Sequence, residues 1–350
     1  AHGHDGISIR MILISSKSIA KSLYLLFRNC FEESIFPLEW KKGNVIPIFK
    51  KGDRQVVSNY RPISLLPLVS KIFKRIILDA IFKYMDQNSF FNPNQFGFRA
   101  GDSCIHQLIS ITHNIHKNFD INPSHEVRGL FLDISKAFDR VWHKCLLYRM
   151  KNFGIDGKLF NLIESFLSDR FQRVTINGQS SSWLPITAGV PQGSILGPLF
   201  FLSFINDLPE GLHSNVKLFA DDTAIFSTAN SPTEIANELT LDLEKIKSWA
   251  IQWKILFNPD QTKPIKEILF SKKNNVMNHP DLHFNDVKID RCSNEKHLGL
   301  ILDEKLIFKK YVDEKIKKAI KIIGTIKRLN SILPRSSLLT ICKSFARPHL

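Results

Sequence analysis

Helix-spaced apolar stretches alternating with short strand-like runs, many of them paired as hairpins, predict an α+β fold for this 350-residue chain. Three observations carry that prediction. A long helical periodicity opens the chain, an Asn-Gly turn follows a β-rich segment at Arg173-Val174-Thr175-Ile176, and a run from Val216 to Ser227 has strand character on both sides of Asp221-Asp222.

The elements follow in order. Residues 7–36 read as a helix with Ile12, Ser15, Ile19, Leu23, Leu26 and Phe27 on one face. Val45, Ile46 and Ile48 then make a strand that ends in the basic turn Lys50-Lys51-Gly52-Asp53. Residues 66–86 form a second helix, with Leu68, Ile72, Arg75, Ile76 and Leu78 near helical spacing, and Asn92-Pro93-Asn94 breaks the chain after it. Val127 to Ile134 reads as a strand, and Ser135 caps a helix expected from Lys136 to Met150. A further helix covers 156–169, and the Asn177-Gly178 turn marks a hairpin. The Gly/Pro-rich stretch 189–198 leads into an apolar helix from Pro198 to Leu208, where proline suits the first turn. Residues 232–253 are amphipathic through Ile235, Leu239, Leu243, Ile246, Trp249, Ala250 and Trp253. A Lys-rich helix spans about 308–330, with Ile316, Ala319, Ile320, Ile323 and Ile326 on one face.

Apolar content of 43% and charged content of 23% are those of a folded chain, which excludes a disordered segment, and 27 phenylalanines predict an aromatic core. A net charge of +15 favours a polyanionic partner, nucleic acid by default. Cys30, Cys104, Cys145, Cys292 and Cys342 are odd in number and contain no Cys-x-x-Cys pair, so neither a zinc site nor a disulfide framework is expected. No apolar run approaches the roughly 18 residues of a membrane span, so no membrane partner is expected. No initiator Met or signal-peptide pattern opens the chain and no tail closes it, so both ends read as cuts in a longer protein.

The residues that carry chemistry are acids at strand ends. Asp133 closes Leu130-Phe131-Leu132, and Asp221-Asp222 follow Phe219-Ala220. An acid pair on one strand tip with a third acid on another can hold two divalent cations about 3.5–4 Å apart, the arrangement that clamps the attacking and leaving oxygens of an in-line phosphoryl transfer. Read alone, Asp-Asp is equally a turn former, and Asp133 a strand-end acid or helix cap.

Six segments, in order, turn these acids into a pattern. They are Asn59-Tyr60-Arg61-Pro62-Ile63-Ser64-Leu65-Leu66, Asn94-Gln95-Phe96-Gly97-Phe98-Arg99, and Leu132-Asp133-Ile134-Ser135-Lys136-Ala137-Phe138-Asp139. The other three are Gly189-Val190-Pro191-Gln192-Gly193-Ser194-Ile195-Leu196-Gly197-Pro198, Phe219-Ala220-Asp221-Asp222, and His297-Leu298-Gly299. From about residue 40 to 300 the chain resembles the reverse transcriptases of LINE-type (non-LTR) retrotransposons, most of all the jockey-like elements of arthropods.

That resemblance implies a right-hand polymerase: helical and strand fingers over 1–125 with an N-terminal helical extension, an antiparallel-sheet palm over 126–300 carrying the acids, and a partial, truncated helical thumb over 301–350. The reverse transcriptase core would run from about 30 to 303. Asp133, Asp221 and Asp222 become the catalytic acids and, with the Ile134 carbonyl, the ligands of two Mg²⁺ ions, for which Mn²⁺ can substitute. Phe138 becomes a steric gate filling the space of a ribose 2′-hydroxyl; outside the pattern it reads as a core aromatic. Gln192 and Gly193 lie against the nascent base pair and sugar, and Arg61 with Lys50 clamps the triphosphate, where the bland alternatives are a helix-leading loop and a solvated charge run. Leu298 and Gly299 resemble a primer grip. The family places a proton-donating Lys after Asn258-Pro259-Asp260; this chain has Gln261 there and Lys263 as the nearest substitute, a departure that leaves the general acid open against an ordinary surface lysine.

The implied function is RNA-directed DNA polymerisation from a 3′-hydroxyl primer, with an RNA template, a DNA primer or target DNA and dNTPs as partners, acting in the nucleus. A catalytically weak or inactive nucleic-acid-binding remnant of such an element is the alternative. An RNA-directed RNA polymerase fits Phe138 and Phe219-Ala220-Asp221-Asp222 less well. No endonuclease sequence accompanies the six segments.

Overall fold

A computed structural model describes residues 2–123, 125–229, 231–257, 264–273 and 277–349. In chain order the elements begin with α1 (Ile9–Glu32), β1 (Lys42–Phe49), β2 (Tyr60–Leu65), α2 (Leu68–Gln87), α3 (Cys104–Ile121) and β3 (Val127–Asp133). Next come α4 (His143–Asn152), α5 (Gly157–Leu167), β4 (Arg170–Ile176), β5 (Gln179–Ser180), β6 (Leu184–Ile186) and α6 (Gly197–Ile205). Then follow β7 (Asn215–Phe219), β8 (Asp222–Ser227), α7 (Pro232–Trp253), β9 (Lys266–Phe270), β10 (His283–Phe284) and β11 (Val287–Lys288). The chain closes with β12 (Asp290–Arg291), β13 (Asn294–His297), β14 (Leu300–Asp303), α8 (Lys309–Leu329) and α9 (Arg335–Ile341). The α+β class expected from the pattern is the class observed.

Backbone contacts divide the chain into two compact units. The first comprises Ala1–Ser103, Leu132–Thr223 and Asp242–Lys263. Its sheet is built on β1, which pairs antiparallel with β2 from Asn44↔Leu65 to Phe49↔Tyr60 and parallel with β4 from Lys42↔Phe171 to Val45↔Val174. Pro47 faces Pro62 in this ladder, two residues beyond the last β4 partner, so two residues that lack an N–H meet where neither interrupts a second neighbour. The turn at Asn177-Gly178, where both residues have positive φ (49° and 81°), closes β4 on β5 as the dipeptide predicts. Helix α6 packs against α4 and is buried on all sides through Leu199, Phe200, Phe201, Leu202, Phe204 and Ile205, as its almost wholly apolar sequence requires. Phe27 of α1 stacks on Phe73 of α2, and Phe36 packs edge-on against Phe166, the aromatic core foreseen from the phenylalanine count.

The second unit comprises Cys104–Phe131, Ala224–Leu241 and Pro264–Leu350. Its core is a cluster of Ile111, Ile115, Phe119, Val127, Phe131, Phe226, Ile268, Phe270 and Leu302. β9 pairs antiparallel with β3, from Val127↔Phe270 to Phe131↔Lys266, and parallel with β12. Within this unit the strands run in the order β12-β9-β3-β8.

Several local expectations need correction. The helix expected over 136–150 is a short 3-10 turn, Ala137–Arg140, followed by α4, because Lys136 adopts left-handed φ, ψ (49°, 45°) and Ser135 makes no cap. In α2 the buried stripe is Ser70, Phe73, Lys74, Ile77, Ile81 and Met85, while Ile72 and Ile76 are exposed; the helix carries apolar residues on every side, so spacing alone does not choose its inner face. Leu26 of α1 is exposed although Phe27 is buried, and Ile316, Ile320 and Ile323 of α8 are exposed although Ala319 is buried. The seven residues named for 232–253 fare better, since six are buried and Trp249 is half-buried. The five cysteines are free, and among the described residues no helix is long and apolar enough to cross a membrane.

Candidate active site

Asp133 is the first residue of β3 to leave the interior. The six residues before it are all buried, including Leu130, Phe131 and Leu132, so the strand's apolar run drives its own burial and delivers a half-exposed carboxylate at its end. The next residue, Ile134, donates its backbone N–H to the Asp221 carbonyl at 3.3 Å and forms an isolated antiparallel bridge with Phe257. Asp221 lies in the turn between β7 and β8, and Asp222 opens β8. The hairpin with acids at its tip is therefore formed as expected, and a backbone hydrogen bond ties it to the Asp133 strand end.

All three acids line one cleft of about 1730 Å³ that belongs entirely to the first unit. The same cleft is lined by Lys50, Lys51, Arg54, Arg61 and Lys136, by Phe138 and Asp139, and by Gln192. Lys50 follows β1 and donates its N–H to the Asn59 carbonyl at 2.9 Å, closing the basic loop. Arg61 is exposed on β2 opposite Ile48.

Phe138 is half-buried and stacks on Phe201. Next to it, Asp139 accepts a hydrogen bond from Gln192 Nε2 at 3.2 Å. Partial desolvation at the cleft wall pushes the Asp139 carboxyl up from its usual range although the residue keeps an exposed surface, against the opposing pull of that hydrogen bond and of Lys136 and Arg140. The loop from Gly189 to Pro198 is pinned from both sides: Val190 N–H donates to the Phe138 carbonyl at 2.8 Å, and Ser64 N–H to the Gln192 carbonyl at 2.7 Å. Gly193 has φ of +110°, and a Cβ there would stand 2.8 Å from the Ser64 carbonyl oxygen, so only glycine fits this approach. His143 shores up the loop's start by pairing its Nε2 with the Gly189 carbonyl at 2.7 Å, and burial lowers its pKa.

Among the described residues no three His, Cys, Asp or Glu side chains converge closely enough to hold a metal ion as they stand. The donor chemistry suits a hard divalent cation all the same, because the acids on the cleft's described lining, Asp133, Asp139, Asp221 and Asp222, offer only carboxylate oxygens.

Other expected residues lie elsewhere. Leu298 and Gly299, with φ of 48° and 89°, are the two-residue loop of the β13–β14 hairpin in the second unit. Lys263 lies outside the described residues. The sequence reading assigned no role to Lys51, Arg54, Lys136, Asp139 or His143; Lys136 and Asp139 sit inside a quoted segment, and their neighbours in it were the available signal.

The fold is that of a polymerase. It is similar to apo telomerase from Candida tropicalis truncated from its C-terminal domain, with a TM-score of 0.53 and 12% identity over 82% of this chain and 58% of that one. The chain belongs to the reverse transcriptase (RNA-dependent DNA polymerase) family, whose model matches residues 48–300. It is 32% identical to the RNA-directed DNA polymerase from mobile element jockey of Drosophila melanogaster, over 98% of this chain and 37% of that protein. It is 31% identical to the probable RNA-directed DNA polymerase from transposon X-element of the same fly, over 100% of this chain and 38% of the relative. The chain thus spans well under half the length of these curated relatives.

Proposed function

We propose that this chain is the polymerase core of a non-LTR retrotransposon enzyme that copies element RNA into DNA, working in the nucleus from a primer 3′-hydroxyl. The observation that carries the reading is the shared cleft, which sets Asp133, Asp221 and Asp222 against Arg61 and Lys50 in a chain of the reverse transcriptase family. Its volume exceeds the roughly 300–1,000 Å³ of sites for a drug-sized ligand and leaves room for a nucleotide beside nucleic acid.

In this reading Asp133, Asp221 and Asp222, with the Ile134 carbonyl, hold two Mg²⁺ ions. Those ions, when bound, lower the pKa of the attacking hydroxyl and neutralise charge on the leaving pyrophosphate. Arg61 grips the triphosphate through its planar fork and Lys50 adds a point charge. Phe138 excludes a 2′-hydroxyl, and Gln192 and Gly193 hold the nascent pair and sugar. Lys263 is the candidate proton donor, and Leu298-Gly299 the primer grip. Residues 1–125 serve as fingers, 126–300 as palm and 301–350 as the start of the thumb.

Primer extension on oligo(rA)·oligo(dT) with dTTP and Mg²⁺ tests the proposal. Metal-dependent extension that Asp221→Asn abolishes is the expected result. Template binding without extension at any Mg²⁺ or Mn²⁺ concentration would identify the chain as a binding remnant instead.

A further inference from the structure

The segment Asn94–Phe98 runs beside β7 as a strap. Phe96 N–H donates to the Leu218 carbonyl and Leu218 N–H to the Asn94 carbonyl, each at 2.9 Å. Between these bonds the Gln95 side chain turns towards the acid hairpin. Its Oε1 accepts from the N–H of Gly97 at 2.7 Å and from the N–H of Ala220 at 3.0 Å. Gln95 is only 4% exposed and Ala220 5%.

Ala220 is the residue before Asp221, and its φ is +53°, a left-handed conformation that a residue with a Cβ rarely adopts. Such a conformation persists only where the surroundings over-determine it. The two-residue hairpin turn between β7 and β8 itself calls for positive φ, and Gln95 Oε1 adds a side-chain cap on the Ala220 N–H inside that turn. The strap can lie this close because residue 97 is glycine: a Cβ there would stand 2.5 Å from the Ala220 nitrogen. Gln95 Nε2 is buried and makes no hydrogen bond, so the oxygen is the working end of the side chain.

We infer that Gln95 is a positioning residue for the acid pair. By capping Ala220 in this left-handed turn it helps set the direction in which Asp221 and Asp222 leave it. The Asp221 carbonyl then takes the Ile134 N–H, so consecutive bonds run from Gln95 through Ala220 and Asp221 to the strand end that bears Asp133. The kinetic consequence rests on the polymerase reading above; the structural one does not.

The test uses the full 350-residue chain in three forms: wild type, Gln95→Leu, which removes the acceptor at similar volume, and Gln95→Glu, which keeps it. Residue-resolved hydrogen exchange should show the Ala220 and Gly97 amides exchanging roughly tenfold faster in Q95L. The backbone-bonded amides of Phe96 and Leu218 should hold their wild-type rates, and Q95E should restore protection. In the oligo(rA)·oligo(dT) assay, Q95L should lower kcat about 10- to 100-fold. The KM for dTTP should stay within about twofold, because the loss is one of alignment and not of binding. Unchanged exchange at Ala220 in Q95L, or a Q95E as impaired as Q95L, would overturn the inference. A wild type that does not extend at all sinks the polymerase reading, and exchange at Ala220 still decides the role of Gln95. Should Q95L fail to fold, Gln95→Asn withdraws the oxygen by one methylene and serves in its place.

Discussion

Phe138 lies stacked on Phe201, with ring centroids 5.1 Å apart and planes 21° from parallel. Phe98 meets the same ring edge-on at 6.4 Å. Phe201 is fully buried in α6, so the base of the stack is fixed by the core while the upper ring faces the cleft. A ring seated on a fixed base in this way can exclude a hydroxyl by the volume it occupies in the cleft. Phe138→Ala should therefore raise ribonucleotide incorporation, with selectivity for dNTP over rNTP falling about 10- to 100-fold while dNTP use persists. Phe201→Ala should relax selectivity more weakly and cost about 3–5 kcal/mol of stability from the cavity it leaves. Competitive incorporation of dTTP and UTP measures the first effect and thermal unfolding the second.

Arg61 and Lys50 differ in what they offer an anion. A guanidinium grips phosphate oxygens in pairs, whereas an ammonium acts as a point charge. Arg61→Ala should raise the KM for dNTP by about 10- to 100-fold, in line with the roughly 1.5–3 kcal/mol of a charged hydrogen-bonded contact. Arg61→Lys should recover only part of that loss, and Lys50→Ala should cost less than Arg61→Ala. Affinity for the template–primer should barely change in these variants and should fall steeply with added salt, because phosphate contacts release counterions. Steady-state kinetics and a salt titration separate the two properties.

The parts of this architecture that the sequence announced are those where local chemistry and tertiary packing agree. Asn177-Gly178 closes its hairpin because both residues accept positive φ, and α7 buries the face on which Ile235, Leu239, Leu243, Ile246, Ala250 and Trp253 recur, while Leu241 and Ile251 stay exposed. The acid hairpin is legible because apolar runs flank Asp221-Asp222. Helix α3 carries a fainter signal: Gln107, Ile111, Ile115 and Phe119 recur every fourth residue and are buried, with a polar residue heading the stripe. The break at Lys136 is of another kind. Nothing in Ser-Lys-Ala-Phe-Asp forbids a helix, and the turn arises where Ser135 N–H is drawn to the Leu256 carbonyl and Val190 N–H to the Phe138 carbonyl, partners far away in sequence. The role of Gln95 was hidden for the same reason, since Ala220 lies 125 positions away.

Glu267 sits between two guanidinium groups in the second unit. It accepts from Arg128 Nε at 2.9 Å and Nη2 at 2.8 Å, and from Arg291 Nε at 2.8 Å, with Arg128 wholly buried. Removing one partner of a buried pair leaves an uncompensated charge, at a cost of about 3–5 kcal/mol. Glu267→Gln should destabilise the protein by an amount in that range. The double variant Glu267→Met with Arg128→Met should recover most of the loss, since it removes both charges and keeps the volume. Urea titration of the wild type and the two variants gives the comparison.

His297 should contribute to the acid slope of the stability profile. Its ring lies 5.2 Å from that of Phe131, Nε2 has no hydrogen-bond partner, and burial brings its pKa down to about 4. The unfolded chain binds this proton near pH 6.5, well before the folded one does. Stability from keeping the imidazole neutral is therefore complete above pH 6.5 and is lost progressively as the pH falls towards 4. The loss amounts to roughly 3 kcal/mol, at 1.36 kcal/mol for each pKa unit. Between pH 7 and pH 4.5 the unfolding free energy of wild type should fall, and His297→Phe, which fills the site with a ring that cannot protonate, should flatten that part of the curve. A variant with the wild-type slope would assign the acid sensitivity to another group. His143, also lowered by burial but bonded to the Gly189 carbonyl, is the one to replace next.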